Sequence, residues 1–389
     1  MRRLFVVIFG VTFGMCLTAG AVLLAESLHR GDGAPLQASS TGKAGQPISM
    51  PVSVRDASGN PIPNLKKQDF TLADNQHAQA ITGFNEVSGG ALGATAHAVV
   101  VVDAINDTSS GALNKQVKDI ETFFSAGANR LPFPLTIAVL SNTGFMETDP
   151  SRDPSNLGHQ LQNLTSGVRA VDCATDSSAN NADDAAQAPT VTETMGQSLD
   201  HMEGVEGSGT EACRQRHLKA SLSALRRVAN EQASLAGRAV IVWVGPGWIL
   251  GSDRGKQADW FAQVVRITDA LRDAQATLDF VSTADFERAK EFRHVNWNSG
   301  EPVAASAKKL SPASLTLPVI ARQSGGLVFN KSKDLAQDIG ACLSGADHYY
   351  MLQFAPSPAP AKNELHSLSL TVNHPGAAVS APVFYYGEQ

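Results

Sequence analysis

The sequence predicts an α/β protein in which a doubly wound, mostly parallel sheet is inserted into a small β-sandwich formed by the flanking segments. Strand and helix patterns alternate between residues 98 and 345, as in parallel sheets with right-handed crossovers. The run from Ala98 to Val102 contains four valines and is typical of a strand buried on both faces. Residues 48–86 and 347–389 carry strand patterns without helices, so we expect these two segments to pair with each other.

The amino-terminal segment, residues 1–25, has the pattern of an export signal. Arg2 and Arg3 precede an apolar run from Leu4 to Ala25, which suits either a cleaved signal peptide or a retained signal anchor. The remaining chain is therefore expected outside the cytoplasm, in the periplasm or the extracellular space. If the signal is uncleaved, residues 4–25 would anchor it to the inner membrane, and no other membrane contact is predicted. Residues 26–47 are rich in small residues and predict a flexible linker.

Residues 48–90 are predicted to form the first part of the sandwich. Short alternating or β-branched runs at 52–56, 70–72 and 81–84 indicate strands, and the turn Gly59-Asn60-Pro61 follows the first of them.

Residues 91–346 carry the α/β pattern. After the valine strand, Leu113, Val117, Ile120 and Phe124 are spaced to form one face of a helix. Further strands are predicted at 135–140, 239–244, 276–281 and 327–329, and further helices at 157–164, 218–237, 260–271, 315–323 and 335–343. Residues 347–389 form the second part of the sandwich, with strands at 348–354, 368–372 and 382–386.

A polar segment, residues 172–213, interrupts this alternation. It contains no Lys or Arg between its two cysteines and few apolar residues, so it predicts a largely disordered surface insertion. Cys173 and Cys213 flank it, and in an oxidising compartment we expect a disulfide between them. Cys342 would then remain unpaired within a helix.

The candidate binding residues follow the central strand. Asp103, Asn106 and Asp107 come directly after the valine run, and open α/β sheets place their sites in loops at the carboxyl ends of strands. Gly245 and Gly247 follow the predicted strand 239–244 and are expected at the same edge of the sheet.

This strand and its loop resemble a von Willebrand factor A (vWA) domain, in which a D-x-S-x-S loop helps to hold a divalent cation at the metal-ion-dependent adhesion site. Asp103 matches the first position of that loop, while Ile105 and Asp107 stand at the two serine positions. Over residues 48–387 the chain resembles the VWFA-related family of the acidobacterial type, through VSVRDASGNPIPNLKKQDFTL, VVVVDAIND, GRAVIVWVGPGW, IARQSGGLVF and DHYYMLQFAPS. The resemblance implies a vWA/Rossmann-like fold with a degenerate metal site, and export.

A complete set of metal ligands is not predicted. Mg²⁺ takes about six oxygen ligands, and Ile105 supplies none. The resemblance places a further carboxylate in the loop Val244 to Gly247, where none occurs, and Thr148 is the only candidate for the threonine ligand. We therefore expect no cofactor and no tightly bound metal. A Mg²⁺ ion held weakly at Asp103 and Asp107 would keep mostly water ligands.

Several function classes are disfavoured. The net charge is −6 without a basic cluster, which argues against nucleic acid as a partner. The spacing of Gly245, Gly247 and Gly251 is one residue too long for a dinucleotide turn, and Pro246 removes a donor N–H. The sequence has no G-x-S-x-G elbow, and its ten histidines are scattered.

Two functions remain. The first is an exported binding or scaffolding protein, not an enzyme, that holds an unidentified protein or peptide at the carboxyl-end loops of the sheet. The alternative is an extracytoplasmic, hydrolase-like enzyme with an unrecognised site in the same crevice. The two functions predict different arrangements of the loops 103–109, 142–152 and 245–253. An enzyme requires that they converge on a carboxylate–histidine pocket, whereas a binding protein requires an open, shallow face.

Overall fold

The computed structural model describes residues 46–89, 96–107, 109–126, 130–173, 209–248, 257–288 and 303–387. The predicted signal at 1–25, nearly all of the linker, most of the 172–213 insertion and Gly251 lie outside these residues. Among the helices of the described residues, none combines the length and the apolar character that crossing a bilayer requires.

The strands of the described residues form three sheets. They are β1 (Ile48–Arg55), β2 (Phe70–Asp74), β3 (His77–Gln79), β4 (Ile81–Val87), β5 (Ala96–Asp103), β6 (Leu135–Ser141), β7 (Gly144–Glu147), β8 (Arg238–Gly245), β9 (Ala276–Ser282), β10 (Val328–Phe329), β11 (Tyr349–Phe354), β12 (Glu364–Val372), β13 (Ala378–Ser380) and β14 (Phe384–Gly387). The helices are α1 (Ser110–Ala126), α2 (Pro154–Thr165), α3 (Gly209–Ala233), α4 (Gln257–Asp273), α5 (Leu317–Gln323) and α6 (Leu335–Leu343).

The central sheet has the strand order β10-β9-β8-β5-β6-β7. All neighbouring pairs are parallel except β6 and β7. Counted from β5 along the chain, this is the doubly wound order 3-2-1-4-5-6, with its switch point between β5 and β8. The predicted vWA-like α/β fold is therefore confirmed, and Asp103 lies at the carboxyl end of a strand beside the switch point.

Helices cover both faces of this sheet. In β5, Val99 and Val101 pack into the core that contains residues of α3, α4 and α5, whereas Val100 and Val102 pack against α1, α2 and α6. Every residue of β5 is buried, which explains why the strand is an unbroken apolar run instead of an alternating one.

The two ends of the described chain pair with each other in the sandwich. Strand β1 lies antiparallel to β11, β11 to β4, and β2 to β12, which gives sheets of order β13-β1-β11-β4 and β14-β12-β2-β3. Apolar side chains from both sheets share one core, including Val52, Leu72, Leu352 and Leu368. The α/β sheet is thus inserted between the two halves of the sandwich, as predicted.

Some elements differ from the sequence pattern. Strands β3, β7 and β13 have four residues or fewer and lie at sheet edges, where no apolar periodicity is needed. Helix α3 begins at Gly209, within the stretch predicted to be a surface insertion, because Cys213 and Gln215 are buried against the rest of the fold although the segment is polar.

Tyr350 joins the two parts of the sandwich and provides a test of this arrangement. Its hydroxyl is fully buried, donates to the carbonyl of Ile62 at 2.7 Å and accepts from the N–H of Leu65 at 3.2 Å. We expect Tyr350→Phe to lower the free energy of unfolding by about 1–3 kcal/mol, because both backbone groups lose their buried partner. Urea unfolding measures this loss.

The exposed hydroxyl of Thr122, which bonds only within its own helix, serves as the matched control. Thr122→Val should change stability by no more than about 0.5 kcal/mol. An equally small effect of Tyr350→Phe would contradict the role given to the Tyr350 hydroxyl.

Candidate functional site

Asp103 is the centre of the candidate site. It ends β5, pairs in register with Leu140 of β6, and follows Val102, whose partner on the other side is Val244 of β8. Its side chain is completely buried. A carboxylate at this position must find its hydrogen-bond donors within the protein.

Those donors come from two side chains and one backbone group. The indole Nε1 of Trp243 donates to Asp103 Oδ2 at 2.9 Å. The amide Nδ2 of Asn106 lies 2.9 Å from each carboxylate oxygen, and the backbone N–H of Asn106 donates to Oδ1 at 3.3 Å. Each oxygen therefore has two N–H contacts, and the contacts of Asn106 Nδ2 share its two hydrogens, because this nitrogen also lies within hydrogen-bond distance of Ser221 Oγ.

Asn106 also links Asp103 to helix α3. Its Nδ2 donates to Ser221 Oγ at 2.9 Å, and Ser221 donates in turn to the backbone carbonyl of His217 at 2.8 Å. Ser221 is fully buried. The loop after β5 is thus tied to β8 through Trp243 and to α3 through Ser221.

The two positions that the sequence analysis compared with the adhesion-site serines differ from each other. Ile105 is buried and packs into the core together with Leu140 and Trp243. Asp107 is 3% exposed, and its Oδ2 has no hydrogen-bond partner among the described residues. One position is therefore part of the apolar core, and the other is a buried carboxylate that is only partly satisfied.

Burial controls the protonation of both carboxylates. It raises the pKa of Asp103 to about 6, although the hydrogen bonds from Trp243 and Asn106 act in the opposite direction. Burial also raises the pKa of Asp107 to about 7, with a further contribution from the negative charge on Asp103. Near neutral pH this pair therefore carries less than its full negative charge.

The loop after β8 approaches Asp103 through its glycine. Gly245 has a φ of +152°, and a Cβ atom there would lie 2.6 Å from the Cβ of Asp103. Gly247 has a φ of +76° and lies against the ring of Phe280. Both glycines are therefore explained by close packing. Among the described residues of this loop, which end at Trp248, none carries a carboxylate.

Thr148 is not brought to Asp103. Its Oγ1 accepts from the backbone N–H of Ile137 at 3.0 Å, and its own N–H donates to the carbonyl of Ile137. Ile137 precedes Leu140, the partner of Asp103, by three residues, or about 10 Å along a strand. The short strand β7 places Thr148 along the sheet edge, away from the carboxyl end.

These residues do not fit a tightly held divalent cation. Asp103 is completely buried and already contacts three N–H groups, Ile105 has no oxygen in its side chain, and the Thr148 hydroxyl is engaged in a backbone hydrogen bond. Asp107 alone would leave most of an octahedral shell to water.

The predicted disulfide is present, with Cα atoms 5.6 Å apart, and Cys342 is a free, buried cysteine. His217 lies against the disulfide, with Nδ1 3.6 Å from Cys173 Sγ and Nε2 3.6 Å from Cys213 Sγ. Two cysteines and a histidine this close are a familiar ligand set for metals, but only thiolate sulfur binds metal in this way, and the disulfide occupies both sulfurs.

Three partners of the site were not identified from the sequence: Trp243, Ser221 and Gln116. The first two hydrogen-bond within the Asp103 network, and Gln116 Nε2 donates to the carbonyl of Val244 at 2.8 Å. Of these three, only Gln116 could have been singled out from the sequence, because it is a polar residue on the apolar face of α1 between Leu113 and Ile120.

No protein-family model and no curated protein matches the chain. Among solved structures, it is similar to an aerotolerance-related membrane protein from Bacteroides fragilis (10% identity, 63% of this chain and 96% of that chain, TM-score 0.30). It is also similar to manganese-loaded Plasmodium vivax TRAP protein (9% identity, 79% and 98%, TM-score 0.30) and to the pilus adhesin SpaC from Lactobacillus rhamnosus GG (10% identity, 85% and 49%, TM-score 0.32). TM-scores this low support no inference about activity or partners.

The raised pKa values predict how stability depends on pH. Both exceed the ordinary aspartate value of 3.8, so between about pH 4 and 7 the folded state binds more protons than the unfolded state. Their contribution to stability therefore increases as the pH falls from 8 towards 4. At pH 8 we expect Asp107→Asn to raise the free energy of unfolding by on the order of 1–3 kcal/mol, since it removes a poorly satisfied buried charge.

This gain should disappear near pH 4, and thermal unfolding at a series of pH values measures it. Asp149→Asn, at an exposed position, is the matched control and should leave the pH dependence unchanged. Lower stability of Asp107→Asn at pH 8 would mean that the charge of Asp107 has a favourable partner, and would contradict this description.

Proposed function

We propose that the chain is an exported member of the VWFA-related family of the acidobacterial type, with a degenerate metal-ion-dependent adhesion site. It acts as a binding or scaffolding protein, not an enzyme, and holds a protein or peptide outside the cytoplasm without a tightly bound metal. The single observation that carries the proposal is the buried Asp103 carboxylate, which contacts three N–H groups at the switch point of a vWA-like sheet.

The N–H donors around Asp103 support a mode of binding in which the partner recognises the shape of the loop after β5 and no metal ion bridges the two proteins. In place of a cation, Asn106 and Trp243 connect the loop after β5 to its neighbours. Such a loop is held in one arrangement before any partner arrives, which lowers the entropic cost of association. Exposed side chains next to it, such as Ser109 and Asn142, offer polar contacts.

The disulfide supports export. Disulfides form and persist in oxidising compartments and are rare in the cytosol of mesophiles. The Cys173–Cys213 bond joins residues 40 positions apart, and it agrees with the export pattern at residues 1–25. The periplasm and the extracellular space are both compatible with this argument.

An enzymatic function is the second candidate, and one observation favours it. Asp103 and Asp107 are adjacent buried carboxylates with pKa values near 6 and 7, and perturbed pairs of this kind cluster at active sites. Against this, neither carboxylate hydrogen-bonds to a histidine among the described residues, and the side chain of Asp103 is completely buried.

Site-specific photocrosslinking tests the binding function. A photoreactive residue would replace Asn142, an exposed position just after β6 at the carboxyl-end face, in the full chain expressed in its native cells. We expect one crosslinked protein adduct at this position, and we expect it to persist in EDTA, because the face is held together without a metal.

The matched control replaces Arg130, which is exposed at the opposite end of the sheet, before β6. Equal adducts at both positions would contradict binding at the carboxyl-end face. Loss of the Asn142 adduct in EDTA would contradict a metal-independent site, and the lack of any adduct would contradict a binding role for this face.

A further inference from the structure

A cavity lies at the end of the central sheet that is opposite to Asp103. It has a volume of about 330 Å³ and is lined by residues from β1, β8, β9, the α5–β10 turn, α6 and the β13 region. This volume is within the range of small-molecule sites. The cavity is therefore bounded by both the sandwich and the α/β sheet, and it shares no residue with the Asp103 site.

Its lining is strongly basic for a chain with a net charge of −6. Three arginines, Arg55, Arg238 and Arg322, line it, and Asp279 is the single carboxylate among its lining residues. A concentration of guanidinium groups around one cavity indicates an anionic occupant.

Arg238 is the most informative of these residues because it is only 4% exposed. Its Nη1 donates to Ser53 Oγ at 2.6 Å and its Nη2 to Thr277 Oγ1 at 3.0 Å, so both bonds go to neutral hydroxyls. Its Nε is buried and has no partner among the described residues. A buried guanidinium normally has a carboxylate or phosphate against it.

Asp279 compensates this charge only in part. Its Oδ1 accepts from the backbone N–H of Leu327 at 2.6 Å, and burial raises its pKa to about 6, with Arg238 and Arg55 acting in the opposite direction. Burial also lowers the pKa of Arg238 to about 10. Among the residues that line the cavity, three guanidinium groups therefore face one carboxylate, in a site where water screens charge poorly.

Arg55 adds a second fixed cation. Its Nη1 and Nη2 donate to the carbonyls of Ala341 and Ser344 at the end of α6, at 3.2 and 2.5 Å. These bonds hold the guanidinium in place. Arg238 and Arg55 are thus both fixed by hydrogen bonds before a ligand arrives, so little rearrangement of these two side chains is needed on binding.

We propose that this cavity, the arginine cavity, binds a small oxyanion: a molecule with a phosphate or a carboxylate group that Arg238, Arg55 and Arg322 recognise. Guanidinium groups match the geometry of both anions through paired N–H donors. Because the cavity joins β1 and β13 of the sandwich to β8 and β9, such a ligand would also stabilise the contact between the two parts of the fold.

Calorimetric titration of the full chain tests the proposal, with inorganic phosphate and succinate as separate probes at low ionic strength. We expect at least one of them to bind with a Kd below about 1 mM and to weaken as salt is added. Preference for phosphate or for succinate identifies which group the natural ligand carries. No heat with either probe would overturn the proposal.

Variants establish where the anion binds. Arg322→Gln should weaken binding at least about tenfold, and Arg322→Lys, which keeps the charge, should recover part of it. Arg288→Gln is the matched control, because Arg288 is exposed and does not line the cavity. Unchanged affinity in Arg322→Gln, or an equal loss in Arg288→Gln, would overturn the assignment to the arginine cavity.

Discussion

A carboxylate without access to water must be neutralised or surrounded by donors, and this constraint at Asp103 organises the carboxyl end of the sheet. The donors are the indole of Trp243 and the amide groups of Asn106, and Asn106 is itself fixed by Ser221 of α3. Strand β5, strand β8 and helix α3 thus meet at one side chain. N–H donors of the chain itself thus join these elements at the carboxyl end of the sheet.

The sandwich imposes a second constraint, at the opposite end of the sheet. Because β1 and β2 pair with β11 and β12, the α/β sheet begins and ends close to the same position. The buried Arg238 donates to Ser53 of β1, so a charged side chain is part of the contact between sandwich and sheet. The two ends of the sheet therefore differ chemically: one contains shielded carboxylates, the other fixed guanidinium groups.

Much of this could be predicted from the sequence, because the apolar runs of β5, β6, β8 and β9 are long and have few alternatives. That the side chain of Ile105 supplies no oxygen was also visible in the sequence, and the structure places it in the apolar core. Trp243 could not be recognised as a donor, because a tryptophan in an apolar strand is indistinguishable from a core residue until the neighbouring strand is known. The sequence could not show that Arg238 and Asp279 line one cavity, for the same reason. Each lies in a predicted strand or next to one, and only the fold brings them together.

The most direct test of the central claim is calorimetry of the full chain with Mg²⁺ and with Mn²⁺, compared with Asp103→Asn. If burial and the three N–H groups around Asp103 keep its carboxylate from coordinating a cation, neither cation should give measurable heat, and the variant should behave in the same way. Micromolar binding to the unaltered chain that disappears in Asp103→Asn would contradict this description and restore an adhesion-type metal site.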